Sequence, residues 1–326
     1  MKRLIKKLCI FSIPFAVAVV MFFIFEPYDY FGFKDNATYI SKPLSSMREL
    51  MQVEPENIIL GDSRMANLNT EYINGLTGEK YTMMGFGGAQ LGESMELFWY
   101  STTHTKLKKV YFGVSFYTSS GDQPAGRIPF VEENANSILS FMKNFNHWLE
   151  ALDTLKYKTQ NKLAFLLGNH SWLWYPEDPT TFDVVPLDET RGVKYRKNIE
   201  DYCEVLKKNM NGFVLEDSVL LRLEEIIDYC DKEGIELIFV FPPMQRAVFE
   251  LVTEPLCIDD DIKKMKDFLI ERATVYDLEF KNAFTDDEDN FYDGFHLASD
   301  KKHYLAELLF TDIDSEAIVR HVKKGA

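Results

Sequence analysis

The 326-residue sequence predicts a three-layer α/β/α protein built around a mainly parallel sheet. Two patterns predict this fold class. Short, almost uninterrupted apolar runs, typical of strands buried on both faces of a sheet, alternate with amphipathic stretches of helical length. Glycine-containing turns follow several of these runs, where the chain would leave a strand. Apolar residues make up 46% of the chain, which is enough for the core of one large domain with an insertion.

The first half of the predicted domain repeats a strand, a turn and a helix. Its predicted elements, in order, are strand 57–60, helix 63–76, strand 81–84, glycine loop 85–88, helix 91–104 and strand 109–114. Because a helical segment separates each strand from the next, we expect the strands to be parallel.

The alternation stops after residue 114, where a helical region rich in Asn, Phe and Trp gives way to a loop over 175–190. We interpret residues from about 115 to 212 as a helical insertion. The alternation then resumes. Its predicted elements, in order, are helix 216–233, strand 235–241, two helices over 246–272, strand 275–278 and helix 299–310. The amphipathic tail after residue 312 predicts a last helix.

The N-terminus combines a basic flank with an apolar run. Four basic residues lie within the first seven positions, and residues 8–25 contain no charged side chain. A run of this length predicts a transmembrane helix. A cleaved signal peptide is the alternative, but the run ends in large aromatic residues rather than at a small-residue cleavage site. The sequence therefore predicts a single-pass protein of the cell membrane, with its C-terminal domain extracytoplasmic.

The predicted organisation of the chain has three parts. Residues 1–27 form the cytoplasmic basic flank and the transmembrane anchor, and residues 28–56 a juxtamembrane linker with a short helix. Residues 57–326 form the α/β domain with its helical insertion. Any chemistry is therefore expected in this third part.

Charge and motif spacing exclude several function classes. The net charge of −15 disfavours nucleic acid as a partner, because polynucleotide binding depends on a basic surface. The four cysteines are widely spaced, which fits neither a disulfide scaffold nor a zinc site. The glycine loop lacks the spacing of a dinucleotide-binding fingerprint, and the acidic run at 286–289 lacks the glycine and terminal Glu of a calcium loop. We predict no cofactor and no metal.

The turn GDSR at 61–64 allows two interpretations of its serine. Ser63 either caps the following helix or is a nucleophile. A serine hydroxyl becomes nucleophilic when an imidazole takes its proton and a carboxylate orients that imidazole. Asp293 and His296 could supply these two groups from a loop just before a helix. Because loops at the carboxyl ends of parallel strands share one edge of the sheet, we expect these residues to converge. Arg64 either contacts an anionic substrate group or forms a salt bridge.

The order of these motifs resembles that of the SGNH (GDSL-type) hydrolases, a family of esterases and acyltransferases. The chain has GDSR after the first strand, a glycine loop after the second and Asp-x-x-His near the C-terminus, so the resemblance covers essentially residues 57–326. It implies an SGNH/flavodoxin-like fold. It also implies that Ser63 is the nucleophile, His296 the general base and Asp293 the orienting carboxylate. A glycine of the second motif is an oxyanion donor in the family, and Gly88 matches it here.

The third family motif differs in this chain. Where the family has an Asn after the third strand, the aligned segment 113–116 contains Ser115. We expect the Ser115 hydroxyl to donate to the oxyanion in place of the Asn amide, with a shorter reach. The backbone N–H of Ser63, at a helix N-terminus, is a further expected donor.

The predicted anchored topology resembles, among the relatives, the D-alanyl transfer protein of teichoic-acid operons and the alginate-acetylation proteins. This resemblance implies a serine esterase or O-acyltransferase that acts on a cell-envelope polysaccharide. It implies an acyl donor and a cell-surface glycan as partners, with a membrane-bound O-acyltransferase as a possible further partner. The alternative is a non-catalytic glycan-binding or assembly protein that retains the fold.

Overall fold

The computed structural model describes residues 2–32, 43–119, 126–167 and 212–323, with a few further positions between 199 and 210. The strands are β1 (Asn57–Leu60), β2 (Tyr81–Met83), β3 (Lys109–Gly113), β4 (Glu236–Phe241), β5 (Thr274–Asp277) and β6 (Val319–His321). The helices are α1 (Lys2–Phe25), α2 (Pro43–Val53), α3 (Ser63–Ala66), α4 (Thr70–Thr77), α5 (Leu91–His104), α6 (Arg127–Asn136), α7 (Ile138–Lys143), α8 (Phe145–Leu166), α9 (Asp217–Glu233), α10 (Arg246–Leu256), α11 (Asp259–Arg272), α12 (Ala283–Asp286) and α13 (Ser299–Phe310).

The six strands form one sheet in the order β2-β1-β3-β4-β5-β6, so the predicted mixed α/β class is confirmed. All neighbouring pairs are parallel except β5 and β6. β2, which follows β1 in the chain, lies on one side of the β1–β3 pair. β4, which follows β3, lies on the other side of that pair. In parallel sheets, a change of direction of this kind opens a crevice beyond the carboxyl ends of the two strands. The candidate site lies beside this point.

Helices cover both faces of the sheet. Neighbouring residues of β1 point to opposite faces, so that Ile58 belongs to one buried apolar cluster and Ile59 to the other. Helices α2, α5, α9 and α11 contribute to the first cluster, whereas α3, α4 and α13 contribute to the second. The uninterrupted apolar runs of β1 and β4 are explained by this burial on two sides.

The apolar N-terminal run forms helix α1, which includes Pro14. Near its end Phe22 is buried, and its ring stacks on that of Trp148 in α8, with the ring centroids 4.3 Å apart. Among the residues that the structure describes, none of the helices combines the length and the apolar character that crossing a bilayer requires. This finding contradicts the predicted transmembrane helix and the predicted single-pass membrane localisation.

Helices α6 to α8 occupy much of the predicted insertion and pack with the segments that precede β1. The Tyr30 hydroxyl donates to the carbonyl of Asn134 over 3.0 Å, and Arg48 Nη1 donates to the carbonyl of Ala135 over the same distance. Met47 and Leu50 of α2 are fully buried. The predicted linker therefore contributes to the core through α2. The predicted loop at 175–190 lies outside the described residues.

Two predicted helices differ in the structure. The single helix expected over 63–76 is two helices, α3 and α4, because the Asn69 side chain accepts a hydrogen bond from the backbone N–H of Tyr72 and caps a new helix. The tail expected as a helix instead ends in β6, which pairs antiparallel with β5. Arg320 of β6 donates to the carbonyls of Leu308 and Thr311 at the end of α13, which holds the strand at the sheet edge.

Candidate active site

The Ser63 turn connects β1 to α3. Gly61 has a φ of +135°, a value that few residues other than glycine adopt. The Asp62 carboxylate accepts a hydrogen bond from the backbone N–H of Arg64 over 2.8 Å and so caps the helix. The helix is thus capped by Asp62 and not by the Ser63 side chain. The Ser63 hydroxyl has a different partner, since it lies 2.7 Å from Nε2 of His296.

The loop before α13 holds the histidine and its carboxylate. Nδ1 of His296 lies 2.7 Å from Oδ2 of Asp293. The other carboxylate oxygen of Asp293 accepts the backbone N–H groups of His296, over 2.8 Å, and of Phe295, over 3.0 Å. Burial raises the pKa of Asp293, but the hydrogen bond and charge of His296 and these two backbone donors outweigh it, so the pKa is lowered. Asp293 is therefore held as a buried carboxylate.

The three predicted catalytic side chains form one hydrogen-bonded chain from Ser63 through His296 to Asp293. Ser63 and His296 are 233 positions apart, so the fold itself brings them together. With Nδ1 of His296 donating to Asp293, its Nε2 carries no proton and can accept the proton of Ser63. The imidazole keeps 21% of its side-chain surface exposed, so a substrate can reach this end of the chain. A serine nucleophile and its general base would need this geometry.

Gly88 lies in the loop after β2, which is tied to the Ser63 turn. The backbone N–H of Phe86 donates to the carbonyl of Gly61 over 3.1 Å. Gly88 itself is exposed and has a φ of +72°. This placement brings the glycine loop against the turn that carries Ser63, as an oxyanion donor in the loop would require.

Arg127, at the start of α6, contacts the same loop. The sequence does not predict this contact. Its Nη2 donates to the carbonyl of Gly88 over 2.9 Å, and its guanidinium lies over the ring of Phe86, 5.2 Å from the centroid. Its Nε donates to Glu93, whose side chain is fully buried. The predicted insertion therefore contributes a side chain that fixes the glycine loop.

The Ser115 hydroxyl does not fit its predicted role as an oxyanion donor. Ser115 is buried, and its single hydroxyl proton is donated to the carboxylate of Asp62. The same oxygen accepts a hydrogen bond from Nη2 of Arg64. A hydroxyl carries one proton, so this proton cannot also point at a substrate oxygen. Through these two hydrogen bonds Ser115 stabilises the turn that carries Ser63.

Arg64 is buried and forms salt bridges, which is one of its two predicted roles. Its nitrogens lie 3.4 Å from the carboxylate of Asp62 and 3.4 Å from that of Glu279. It also donates to the carbonyl of Pro242 over 3.0 Å. Burial lowers the pKa of Arg64, but Tyr117, Asp62 and Glu279 outweigh that effect, so its pKa is raised and the guanidinium stays charged.

Gly294→Ala is expected to lower the free energy of unfolding by about 2–4 kcal/mol and to displace His296. Gly294 has a φ of +83°, and a Cβ there would lie 2.5 Å from Cγ2 of Val248. The control is Gly75→Ala in α4, where a Cβ meets nothing within 4 Å and a gain of about 0.5–1 kcal/mol is expected. Chemical denaturation measures both. Equal stability of the two variants would contradict the packing of this loop.

The stabilising contribution of Asp293 is expected to disappear in acid. Its folded-state pKa is lower than the ordinary value of 3.8, so the unfolded chain binds the proton more readily. The contribution is therefore present above about pH 4 and is lost as the pH falls through the folded-state pKa. Thermal unfolding of the wild type and of Asp293→Asn, followed from neutral pH to about pH 3, measures it. The difference between their Tm values should shrink in acid, and a constant difference would refute this account.

No protein-family model matches this sequence, and neither does any curated protein. A solved structure of a candidate platelet activating factor from Streptococcus pneumonia is 12% identical with a TM-score of 0.42, covering 83% of this chain and 90% of that chain. A candidate acylhydrolase from Bacteroides fragilis is 9% identical with a TM-score of 0.34, covering 78% of this chain and 83% of that chain. Both likenesses are distant, and the functional conclusion depends on the geometry of the site.

Proposed function

We propose that the protein is a serine esterase or O-acyltransferase of SGNH type. The observation that supports this proposal is the hydrogen-bonded chain of Ser63, His296 and Asp293, with 2.7 Å at each link. Asp62 already caps the helix, so capping does not explain where the Ser63 hydroxyl points. A buried carboxylate, an accessible imidazole and a serine in this order are the parts that acyl transfer through a covalent intermediate needs.

In the first half of the proposed reaction, Ser63 Oγ attacks the carbonyl carbon of an ester while its proton moves to Nε2 of His296. Asp293 stabilises the imidazolium that forms. The backbone N–H groups of Ser63 and Gly88 are the proposed donors to the tetrahedral oxyanion. The intermediate collapses when the bond to the leaving alcohol breaks, and that alcohol takes the proton from Nε2. An acyl ester of Ser63 results.

In the second half, an acceptor hydroxyl attacks the acyl ester and gives its proton to Nε2 of His296. The bond to Ser63 Oγ breaks, and the serine recovers the proton. Water as the acceptor makes the protein an esterase, and a sugar hydroxyl makes it an O-acyltransferase. The resemblance of the motifs to the SGNH family supports an acyl ester as the substrate class.

A fluorophosphonate probe tests the proposal, because it reacts with serines that a neighbouring base activates. We expect the wild type to be labelled and the modified peptide to contain Ser63. Ser63→Ala should remain unlabelled, whereas Ser101→Ala, which removes a buried serine of α5, should be labelled like the wild type. A folded wild type that stays unlabelled would favour the alternative of a non-catalytic binding or assembly protein.

A further inference from the structure

Arg64 lies where four strand-end loops meet beneath Ser63. Its guanidinium contacts Asp62 after β1 and Ser115 after β3. It also contacts the carbonyl of Pro242 after β4 and the carboxylate of Glu279 after β5. These strands are neighbours in the sheet, so one side chain ties together four of the loops at its carboxyl edge.

We propose that Arg64 is a positioning residue that holds the Ser63 hydroxyl at its hydrogen-bonding distance from His296. The inference rests on the proposed function, because a position matters only if Ser63 is the nucleophile. Arg64 directly follows Ser63 in the chain, and its backbone N–H is the donor that Asp62 caps. The same residue is therefore fixed at both ends, through its main chain and through its guanidinium. Ser63 lies in the chain between Asp62 and Arg64, the two residues that this hydrogen bond joins.

The contacts of Arg64 extend to the loop that carries the histidine. The hydroxyl of Tyr117 donates to Asp62 over 2.6 Å, and the Arg64 guanidinium lies over the Tyr117 ring, 5.1 Å from the centroid. The Tyr117 ring also makes an edge contact with Phe295, with the centroids 5.8 Å apart. Phe295 precedes His296 in the chain. The cluster formed by Asp62, Arg64, Ser115, Tyr117 and Glu279 thus contacts both the turn that carries Ser63 and the loop that carries His296.

The positive charge of Arg64 balances the negative charges that are buried in this cluster. Asp62 and Glu279 are both buried carboxylates, and a buried charge without a partner strongly destabilises the fold. Lys266 occupies the outer end of the cluster, with its ammonium 2.9 Å from Asp277 and 3.9 Å from Glu279. Asp62 is not among its partners, so Arg64 supplies the positive charge beside the Ser63 turn.

A lysine cannot reproduce these contacts. The guanidinium is a planar fork whose two terminal nitrogens reach in different directions, with Nη1 toward Pro242 and Glu279 and Nη2 toward Asp62 and Ser115. A lysine ammonium is one point charge at the end of a flexible chain. Arg64→Lys therefore keeps the charge that the buried carboxylates need, and it loses the geometry that ties the loops together.

Arg64→Lys is the test variant. We expect kcat for an activated acetyl ester and the rate of fluorophosphonate labelling each to fall about 10- to 100-fold, because a displacement of about 1 Å costs this much. KM should stay within about twofold, because Arg64 is buried beneath the site and is not proposed to contact the substrate. The control is Leu223→Ala in α9, which is fully buried on one face of the sheet and is expected to lower Tm because it leaves a cavity in the core.

The outcomes separate this inference from the proposed function. A wild type that is not labelled at Ser63 would refute the proposed function. A labelled wild type together with Arg64→Lys at the wild-type labelling rate would refute the positioning role alone. If Leu223→Ala, at a similar loss in Tm, lost as much kcat as Arg64→Lys, the effect of Arg64 would be one of stability and the inference would also be overturned. A kcat loss confined to Arg64→Lys supports it.

Discussion

Ser63→Ala is expected to lower kcat for an activated acetyl ester by a factor of about 10⁴ to 10⁶, the largest effect that we expect from a single substitution. Alanine removes the hydroxyl that is the proposed nucleophile and that lies 2.7 Å from Nε2 of His296. KM should change little, because one hydroxyl contributes little to ground-state binding. Steady-state kinetics on the two proteins measures both quantities.

The control for Ser63→Ala is Ser101→Ala. The Ser101 hydroxyl donates to the carbonyl of Leu97 within α5, far from the site in the fold, so its loss should leave kcat unchanged. The stability of Ser63→Ala should be close to that of the wild type, because Asp62 still caps α3. Turnover by Ser63→Ala that exceeds a thousandth of the wild-type rate would show that another group carries the reaction.

Asp293→Asn is expected to lower kcat by about 10⁴, because an amide cannot fix the imidazole in the tautomer that the reaction needs. An Asn side chain can keep its oxygen on the backbone N–H groups of Phe295 and His296, as Oδ1 of Asp293 does now. Its NH₂ group would then face Nδ1 of His296 and favour the tautomer with the proton on Nε2. In that tautomer Nε2 cannot accept the proton of Ser63.

The matched control is Glu26→Gln. Glu26 is also a buried carboxylate, and its oxygens accept the backbone N–H groups of Tyr28 over 2.8 Å and of Tyr30 over 3.1 Å. These contacts lie in the segment after α1, so its substitution should lower Tm and leave kcat within a few-fold of the wild type. A similar loss of kcat in both variants would mean that buried charge in general, rather than the orientation of His296, limits the reaction.

Much of the sheet could be predicted from the sequence because its strands are buried on both faces. The segments of β1 and β4 contain almost only apolar residues, and such a pattern does not depend on distant parts of the chain. The apolar periodicity predicts one helix across the break between α3 and α4. The local signal of the break is Asn69, a residue type that favours the N-cap position.

The residues that support the site could not be predicted, because their partners are far away in the sequence. Arg64 pairs with Glu279, 215 positions later, and Arg127 reaches back to Gly88. No periodicity or spacing encodes such pairs. The alignment with the third family motif predicts Ser115 as an oxyanion donor, whereas its contact with Asp62 depends on the fold.

The error at the N-terminus has a related cause. Hydropathy counts the apolar residues of a segment, but it does not show what their side chains contact. Within α1 the ring of Phe22 packs against Trp148 and Phe141 from the predicted insertion. A count of apolar residues gives the same result for this run whether or not its end packs on the protein.

The most direct measurement of the central claim is the mass of the protein itself during the reaction. The wild type is mixed with an activated acetyl ester, quenched in acid within the first turnovers and analysed whole and as peptides. We expect a fraction of the protein to gain the mass of one acetyl group, on the peptide that contains Ser63, and no gain in Ser63→Ala. Turnover without any acetylated protein, or an acetyl group on Ser63 that is never released, would contradict covalent catalysis by Ser63.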